Sequence, residues 1–590
     1  MSLTFWKPAL AVLVICASGS PSMAQESKSA PPKTIAYNAS PTPYFNEHAA
    51  DVARIYDGFF FTVGSWDEGA GAALGLNSTP PSPTEWKNLV RENLRHLNEA
   101  GASANLLGVH FGDSEEWPSP ETLLAPEYGD KMAERFGAIA REAKELAFHG
   151  LSIDVEYPYP RYALEHPIYT YDGYTAEDLR AAARKEGRAI MNAVLGSFPD
   201  AVVFVLPGSL WTRTLARDFQ LAMLEVMAER DAPGGFHLGA ERSYCLLDPV
   251  SQVAIPREGD LSVEALVRDA DVRDYWRRRC SVAPGVWPAH MVETGGKDYP
   301  ARAWAEELAD LKQQMHILRN VTKRFIWSFS GQPLWYRHSP EIEAQYGLKK
   351  QTYQGIDELV AGWHSILADK SRDVEPRIQP CIDAVADYDQ GKIDGAGLCS
   401  RLGTPGEWYV LGPLDNPNVR AAYSAPKAFL GAINADNVYR GRDGAVRWTA
   451  LRNLEPLGHL RMTAFADWCA TDNASAQWVA TVQAEKNTKA FVHVGWDDGV
   501  AVYLNHTLVL DRLAYPERGH GMLYLDKYNF EEKAPIAIPS GKSRLTVICV
   551  NGKGNWGVNL RIADENACPI SGITFPPLRE GSWESIAAEY

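Results

Sequence analysis

Two acidic residues at the end of an apolar run are the first feature of this sequence that can do chemistry. Within residues 149–157, HGLSIDVEY, Asp154 and Glu156 are separated by a single valine. Residues two apart in a strand point to the same side, so both carboxyl groups are expected to face one way. Neighbouring carboxyl groups hold protons unequally, which leaves one ionised group and one acid. Cleavage of a glycosidic bond uses such a pair, whereas a capped strand end or a cation site is the alternative.

Other acidic and aromatic residues follow further apolar runs of the chain. We expect Asp154 to act as nucleophile or electrostatic stabiliser, Glu156 to handle a proton or position the substrate, and Glu241 to be the acid/base. Glu156 and Glu293 can exchange these roles with their neighbours. Taken singly, each further candidate is better explained by a structural role, and their recurrence after strands is what favours a site. The candidates for substrate binding are Trp66, Asp67, His110, Tyr157, Tyr244, Glu293, Trp327 and Trp335.

The elements that must position these residues alternate between strand and helix over residues 45–375. Seven apolar runs are typical of strands, and an eighth strand is expected near Thr34–Tyr37 or elsewhere. This alternation predicts a parallel sheet covered by helices, and we favour a TIM-type (β/α)8 barrel over an open doubly wound sheet. If the missing strand is the first, Asp154 lies on the fourth strand and Glu241 near the sixth. Such barrels carry their catalytic groups at the carboxyl ends of the strands.

The segment from Gly150 to Tyr157 resembles the strand-end carboxylate signature of barrel glycoside hydrolases. It is similar to the final D-x-E of the family 18 chitinases, although His149 and Ser152 stand where the longer family pattern has aspartates. Residues 326–336, with Trp327 and Trp335, resemble the last barrel strand of many glycoside hydrolases, where an aromatic residue forms the floor of a sugar subsite. The resemblance covers residues 45–370 and implies a barrel that cleaves glycosidic bonds.

The pattern changes after residue 375. Residues 376–405 are expected to form a helical connector, and residues 406–575 an all-β jelly-roll sandwich followed by a tail at 576–590. Residues 406–413, 495–505 and 551–561 resemble strands of the galactose-binding-like and PA14-like modules attached to exported carbohydrate-active enzymes. Such modules bind sugar or pack on the catalytic domain, and both readings stay open. Separate cores are expected, so a chain ended at residue 375 should keep activity on small substrates.

The amino terminus and the cysteines bear on the compartment. Residues 1–24 have the form of a signal peptide and residues 25–44 of a flexible leader, which predicts a secreted or periplasmic protein. Export permits disulfides, and Cys381–Cys399 and Cys245–Cys280 are the plausible local pairs. A buried free thiol is expected for Cys549, because it lies in an apolar run.

Composition excludes some partners and leaves two functions open. The net charge of −16 disfavours nucleic acid, and no apolar run is long enough to span a bilayer. The 18 Trp, 25 Tyr and 19 Phe are explained by large cores or by stacking on sugar rings. No motif for a metal or a cofactor is found, so none is expected. The sequence therefore predicts an exported glycoside hydrolase acting on a poly- or oligosaccharide. The alternative is a non-catalytic carbohydrate-binding or scaffold protein with a degenerate barrel.

Overall fold

The structure of the chain is a computed structural model in which part of the sequence is described. The described residues are 31–62, 83–110, 120–155, 173–211, 214–244, 248–290, 303–331, 334–336, 339–348, 355–415, 433, 436–442, 444–461, 473–496, 499–513, 530, 532–552 and 557–577.

Eight parallel strands close into a barrel in the order of the chain. The eighth strand of the prediction is the first of the barrel, because residues 33–39 pair with both the second and the last strand. The predicted barrel is confirmed, and Asp154 is the last residue of the fourth strand. The barrel strands are β1 (Lys33–Ala39), β2 (Gly58–Thr62), β3 (Leu106–His110), β4 (Gly150–Asp154), β5 (Val202–Leu206), β6 (Phe236–Ala240), β7 (Ser281–Val286) and β8 (Phe325–Ser328).

The barrel strands are apolar because both of their faces are covered. All five residues of β5, VVFVL, are buried, as are all of those in β4, β6, β7 and β8. A parallel strand buried on both faces has a continuous apolar run instead of alternation. Its inward side chains fill the barrel, while its outward side chains pack against the helices.

Helices cover the outside of the barrel and start where the sequence offers a cap or a proline. Thr175, for example, accepts a hydrogen bond from the backbone N–H of Asp178 at 3.1 Å and so begins α5. The described helices are α1 (Pro43–Ala53), α2 (Pro83–Ala100), α3 (Pro120–Leu124), α4 (Pro126–Glu145), α5 (Ala176–Ser197), α6 (Leu215–Glu229), α7 (Pro249–Ala254), α8 (Glu258–Leu266), α9 (Ala270–Arg279), α10 (Trp304–Val321), α11 (Pro340–Tyr346), α12 (Ile356–Ala368), α13 (Gln379–Asp389) and α14 (Gly395–Arg401).

Both ends of the barrel differ from the predicted boundaries. Residues 25–44 were expected to be a flexible leader, but β1 and the start of α1 fall within this segment. A strand was expected near Thr34–Tyr37, but the barrel domain was predicted to begin only at residue 45, because a short strand next to a polar leader has little pattern of its own. The predicted connector does contain two helices, α13 and α14, yet their apolar side chains belong to the same buried cluster as the barrel helices. A chain ended at residue 375 therefore loses part of its own core.

Three described cysteines bear on the predicted disulfides. Cys381 and Cys399 are both buried and unbonded, so the predicted disulfide between them is wrong. Cys280 is a free thiol, and its proposed partner Cys245 lies outside the described residues. The burial predicted for the thiol of Cys549 is confirmed.

The carboxyl-terminal part of the chain forms antiparallel sheets. A seven-stranded sheet has the order β12-β9-β14-β19-β16-β17 with β21 beside β14, and a four-stranded sheet has the order β13-β20-β15-β18. Residues of both sheets share one buried cluster, separate from the barrel core. The likeness to jelly-roll and galactose-binding-like modules stays a prediction. The strands are β9 (Glu407–Asp415), β10 (Tyr439–Arg440), β11 (Ala445–Val446), β12 (Thr449–Arg452), β13 (His459–Arg461), β14 (Ala474–Ala484), β15 (Thr488–Trp496), β16 (Gly499–Leu504), β17 (Thr507–Asp511), β18 (Glu532–Ile538), β19 (Gly541–Asn551), β20 (Gly557–Ala563) and β21 (Ile573–Thr574).

Candidate functional site

Asp154 is a buried carboxylate at the carboxyl end of a barrel strand. Its side chain is mostly enclosed, with 7% of the residue exposed. The hydroxyl of Tyr37, from β1 across the barrel, donates a hydrogen bond to Oδ2 of Asp154 at 3.4 Å. The pairing of β4 with β5 continues one residue beyond Asp154, because the backbone N–H of Val155 donates to the carbonyl of Leu206 at 2.7 Å. The backbone at Asp154 is thus paired with β5, and its carboxylate accepts a hydrogen bond from across the barrel.

Aromatic rings form a continuous floor beneath this carboxylate. Tyr37 contacts Trp327 and Phe329 with ring centroids 5.8 and 5.5 Å apart. Tyr244 continues the floor on the opposite side, stacked on Phe329 at 5.5 Å and edge-on to Trp327 at 5.3 Å. Trp287, which follows β7, contacts Phe329 at 4.9 Å. Rings at these separations are typical of favourable aromatic packing, so the floor is a rigid surface.

A glycine in β7 makes this arrangement possible. A Cβ atom on Gly285 would lie 2.4 Å from Cε1 of Tyr244 and 3.0 Å from Cε2 of Trp327. Only a residue without a side chain lets both rings approach the strand so closely. This role could not be predicted from the sequence, because the contact joins three separate strand ends.

Glu241 follows directly on β6 and opens a short 3-10 helix that ends at Tyr244. Its side chain is partly buried. Gly239, two residues earlier, faces the barrel interior, since its Cβ would lie 2.1 Å from Cδ2 of Leu206. The next residue, Arg242, lies with its guanidinium 5.6 Å from the ring centroid of Trp211 and pairs with Glu258. The segment after β6 therefore carries a candidate acid, a fixed arginine and one ring of the floor.

Of the other predicted site residues, some lie near Asp154 or inside the barrel, one is packed in the core, and some lie outside the described part of the chain. His110 ends β3 and pairs in register with Asp154. Trp327 is 1% exposed inside the barrel, where its indole N–H donates to the carbonyl of Ala283 at 3.1 Å. Trp335 is 3% exposed and stacks on Phe45 at 4.5 Å in the layer between barrel and helices. This position argues against a contact with sugar. The predicted residues that lie outside the described part of the chain are Trp66, Asp67, Glu156, Tyr157 and Glu293.

Two residues that border Asp154 or the floor, Tyr37 and Trp287, were not among the predicted site residues. Tyr37 lay in a stretch expected to be leader or hidden strand, and its hydroxyl could be placed only once β1 was known. The available signal was their position, because Tyr37 lies near the carboxyl end of β1 and Trp287 directly follows β7.

A small pocket, partly open to solvent, lies beside the floor between α7, α10 and the end of β7. Tyr244 and Trp287 belong to both the floor and the pocket wall. The amide of Gln314 donates to the carbonyl of Ser243 at 2.8 Å and to Oε1 of Gln252 at 3.1 Å. These bonds tie α10 to the segment after β6. The wall is formed by Tyr244, Pro249, Gln252, Trp287, His290, Glu307, Asp310, Leu311, Gln313, Gln314 and Ile317.

His237, although inside the barrel, is not suited to proton transfer. Burial lowers its pKa to about 3, so the ring is neutral. Its Nδ1 lies 3.0 Å from Oγ of Ser281 and its Nε2 lies 3.2 Å from the carbonyl of Gly234. Both nitrogens therefore have structural partners. Among the described residues no three His, Cys, Asp or Glu side chains are grouped as a metal site would require, and none of the helices there could cross a membrane.

Comparison with known proteins gives similar structures but no family. No protein-family model matches the chain, and no curated protein is similar to it. Similar solved structures include a GH5-4 broad specificity endoglucanase from an uncultured bacterium, at 12% identity over 56% of this chain and 84% of that one, with a TM-score of 0.32. A GH36 α-galactosidase from Geobacillus stearothermophilus, in complex with stachyose, is 9% identical over 90% of this chain, with a TM-score of 0.30. This chain spans 56% of that one.

Barrels with other activities are similar to the same degree. A D-allulose 3-epimerase from Methylomonas sp. is 12% identical over 58% of this chain and 100% of that one, with a TM-score of 0.29. Glycoside hydrolases are thus among the similar structures, but the likeness does not single out their activity. At identities and TM-scores this low, neither a family nor a substrate is drawn from the comparison.

Proposed function

We propose that this chain is a glycoside hydrolase that acts on a poly- or oligosaccharide through paired carboxyl groups. The observation that carries the proposal is the enclosed carboxylate of Asp154 at the barrel mouth, above a floor of aromatic rings. Sugars are bound by stacking of their apolar faces on such rings, while carboxylates supply the chemistry at the anomeric carbon.

The two carboxylates have different proposed roles. Asp154, which accepts a hydrogen bond from the hydroxyl of Tyr37, suits the nucleophile or the group that stabilises positive charge on the sugar ring. Glu241 suits the acid/base, because it is partly buried at the end of a strand on the far side of β5. Neighbouring strands lie about 4.8 Å apart, so the two backbones are roughly 10 Å apart. Side chains reaching inward from there meet the separation of about 5–9.5 Å that glycosidases use. Glu156 remains a proposed partner of Asp154.

Substrate stacking is assigned to the rings that border the mouth. Trp287 is only partly buried and contacts both Tyr244 and Phe329, so one of its faces can accept a sugar without rearrangement of the floor. Tyr244 itself is 9% exposed and joins the floor to the neighbouring pocket.

The test is hydrolysis of a panel of polysaccharides and aryl glycosides by the full chain. We expect Asp154→Asn and Glu241→Gln to lower kcat/KM at least about a hundredfold, because each removes a group that acts in the transition state. Asp200→Asn is the matched control, since this exposed aspartate precedes β5 at the opposite end of the barrel. Full activity in both site variants would refute the assignment.

Two further measurements concern the stereochemistry of cleavage and the alternative of a non-catalytic carbohydrate-binding protein. Proton NMR of the first product shows whether the anomeric configuration is retained, as carboxyl groups about 5 Å apart imply, or inverted. Retention of the wild-type protein on insoluble glycan, with no reducing sugar released from any substrate, would instead support a carbohydrate-binding protein with a degenerate barrel.

Export is proposed on the sequence alone, from the signal-peptide form of residues 1–24. The protein recovered from a periplasmic or culture fraction should then begin at Gln25. A protein recovered from these fractions with Met1 at its amino terminus would contradict the cleavage.

A further inference from the structure

The pocket beside the floor has two amide side chains in its wall, one from each of the helices that border it. Gln252 belongs to α7 and Gln314 to α10. These residues are only 3% and 9% exposed, so both amide groups are enclosed by the wall. Enclosed polar atoms need hydrogen-bond partners, and an atom that has none within the protein is available to water or to a ligand.

The backbone carbonyl of Ser243 determines the orientation of both amide groups. A carbonyl oxygen only accepts hydrogen bonds, so the atom of Gln314 that lies 2.8 Å from it is the nitrogen, Nε2. The same nitrogen donates its second hydrogen to Gln252 at 3.1 Å, and the atom of Gln252 that accepts it is therefore Oε1. Rotation of either amide group by half a turn would place two donors or two acceptors against each other.

This arrangement leaves one acceptor and one donor for the pocket. In the described part of the chain, neither Oε1 of Gln314 nor Nε2 of Gln252 has a hydrogen-bond partner. Because the two amide groups contact each other, these two atoms lie close together in the wall. Two adjacent hydroxyl groups of a sugar complement them, since one hydroxyl donates to Oε1 of Gln314 and the other accepts from Nε2 of Gln252.

An aromatic surface continues from the floor into the same pocket. Trp287 is partly buried, and both it and Tyr244 belong to the floor and to the wall. An apolar sugar face stacks on an indole ring while its hydroxyl groups meet polar neighbours. Since the pocket is small, it fits the hydroxyl-bearing edge of one sugar ring, with the rest of the ring outside against Trp287.

The charges of the wall distinguish between sugars. Glu307 and Asp310, both on α10, are acidic residues of the wall. Among the wall residues that the structure describes, there is no lysine or arginine. A sugar that carries a carboxylate would therefore meet like charges without a basic partner, and like charges repel.

We propose that this pocket is a binding subsite for a sugar unit that has two adjacent hydroxyl groups and no carboxylate, with Gln252 as hydrogen-bond donor and Gln314 as acceptor. Tyr37, which bonds to Asp154, and Tyr244 both contact Phe329 at 5.5 Å, so the pocket lies beside the carboxylate and not at it. A substrate that fills both places has at least two sugar units. This extension of the substrate rests on the proposed function, whereas binding of the sugar in the pocket does not.

The experiment is a titration of the full chain with methyl glycosides of glucose, galactose, mannose and xylose, followed by saturation-transfer NMR. Gln252→Glu keeps the acceptor for Gln314 and nearly the same shape, but replaces the donor at the pocket by an oxygen. We expect it to lower the affinity for the glycosides that the wild type binds by about tenfold or more. Gln483→Glu is the matched control, because it adds the same charge at an exposed position of β14 and should leave the affinity unchanged.

A neutral variant and a series of ligands complete the test. Gln252→Met, which adds no charge, should weaken binding to a similar extent. With the wild type alone, removal of one hydroxyl of the bound pair should lower the affinity about tenfold, as measured with the 2-, 3- and 4-deoxy forms of the glycoside that binds. The methyl glucuronoside should bind more weakly than the methyl glucoside.

The proposal is overturned by affinities that are equal in wild type, Gln252→Glu and Gln252→Met, or by deoxy forms that all bind as the parent does. Acetamide also offers one donor and one acceptor, and binding of acetamide as strong as that of the glycosides would overturn the assignment to sugar. Hydrolysis with the same KM for oligosaccharides in wild type and Gln252→Glu would remove the subsite and leave the proposed function intact. Binding that depends on Gln252 without hydrolysis of any substrate would do the reverse.

Discussion

Replacement of Arg561 tests whether the barrel and the carboxyl-terminal sheets are one cooperative structure. Arg561 lies in β20 with its side chain fully buried, and its Nη1 donates to Oδ2 of Asp248 at 2.5 Å. Its Nη2 donates to Oγ of Ser251 at 3.1 Å, and its guanidinium lies 4.8 Å from the ring centroid of Phe530. Arg561→Ala removes the two hydrogen bonds to the cap and first turn of α7, together with the contact with Phe530.

The expected loss of stability follows from the charge of Asp248, which remains at the junction when Arg561 is removed. Removal of one partner from a buried ion pair typically costs about 3–5 kcal/mol. Asp248 keeps part of its compensation, because it also caps α7 and accepts hydrogen bonds from the N–H groups of Val250 and Ser251 at 3.2 and 3.0 Å. We therefore expect Arg561→Ala to lower the free energy of unfolding by about 3 kcal/mol, at the lower end of that range.

The assay is urea unfolding followed by tryptophan fluorescence, with Arg278→Ala as the matched control. Arg278 pairs with Asp231 at 3.2 Å, but the side chains are 47% and 62% exposed, so its loss should lower the stability much less than the loss of Arg561. The double variant Arg561→Met with Asp248→Asn leaves no buried charge and should recover most of the stability. A loss below about 1 kcal/mol in Arg561→Ala would refute the reasoning, as would a double variant no more stable than Arg561→Ala.

Three further predictions concern packing, thiols and a buried carboxyl group. Gly239→Ala should lower the free energy of unfolding by about 1–3 kcal/mol, because its Cβ would lie 2.1 Å from a leucine methyl group of β5. Gly196→Ala, with open space around its Cβ inside α5, should stabilise by roughly 0.5–1 kcal/mol in the same denaturation assay. Cys381 and Cys399 should react with a thiol reagent only after denaturation, with or without prior treatment with dithiothreitol, since both are buried and unbonded. Burial raises the pKa of Glu186 to about 7. The contribution of its protonated carboxyl group to folding stability is therefore complete below pH 4.5 and is lost by pH 7. In calorimetric profiles of stability against pH, Glu186→Gln should remove roughly 3 kcal/mol of this pH dependence.

The barrel could be predicted from the sequence because each of its strands is an apolar run bounded by amphipathic helices. The strand that escaped firm assignment, β1, follows a polar segment and is recognised only by its pairing with Phe325 and its neighbours in β8. Asp154 could be located for the same reason as the barrel, since it closes an apolar strand. The strand order then fixed the place of Glu241 after β6.

The floor and the junction could not be predicted, because they depend on contacts between distant parts of the chain. Aromatic residues in the sequence carry no mark that separates Trp335, packed in the core, from Trp287 at the mouth. The burial of Arg561 likewise results from the way the sheets lie against the barrel. In a strand of alternating polar and apolar residues, a charged residue is expected to be exposed to solvent. It is buried here because the barrel covers that face of the sheet.

The pairing of β1 with β8 has a consequence for the way this chain folds. Lys33 pairs in register with Phe325. One edge of β1 therefore stays without a partner strand until nearly the whole barrel has been synthesised. Contacts between residues so distant in sequence slow folding, and uncovered strand edges invite association with other chains. Until β8 pairs with β7 and β1, the sheet of the incomplete barrel has an unpaired strand at each edge. We therefore expect aggregation during refolding to depend strongly on protein concentration and to decrease when the chain is diluted before the barrel closes.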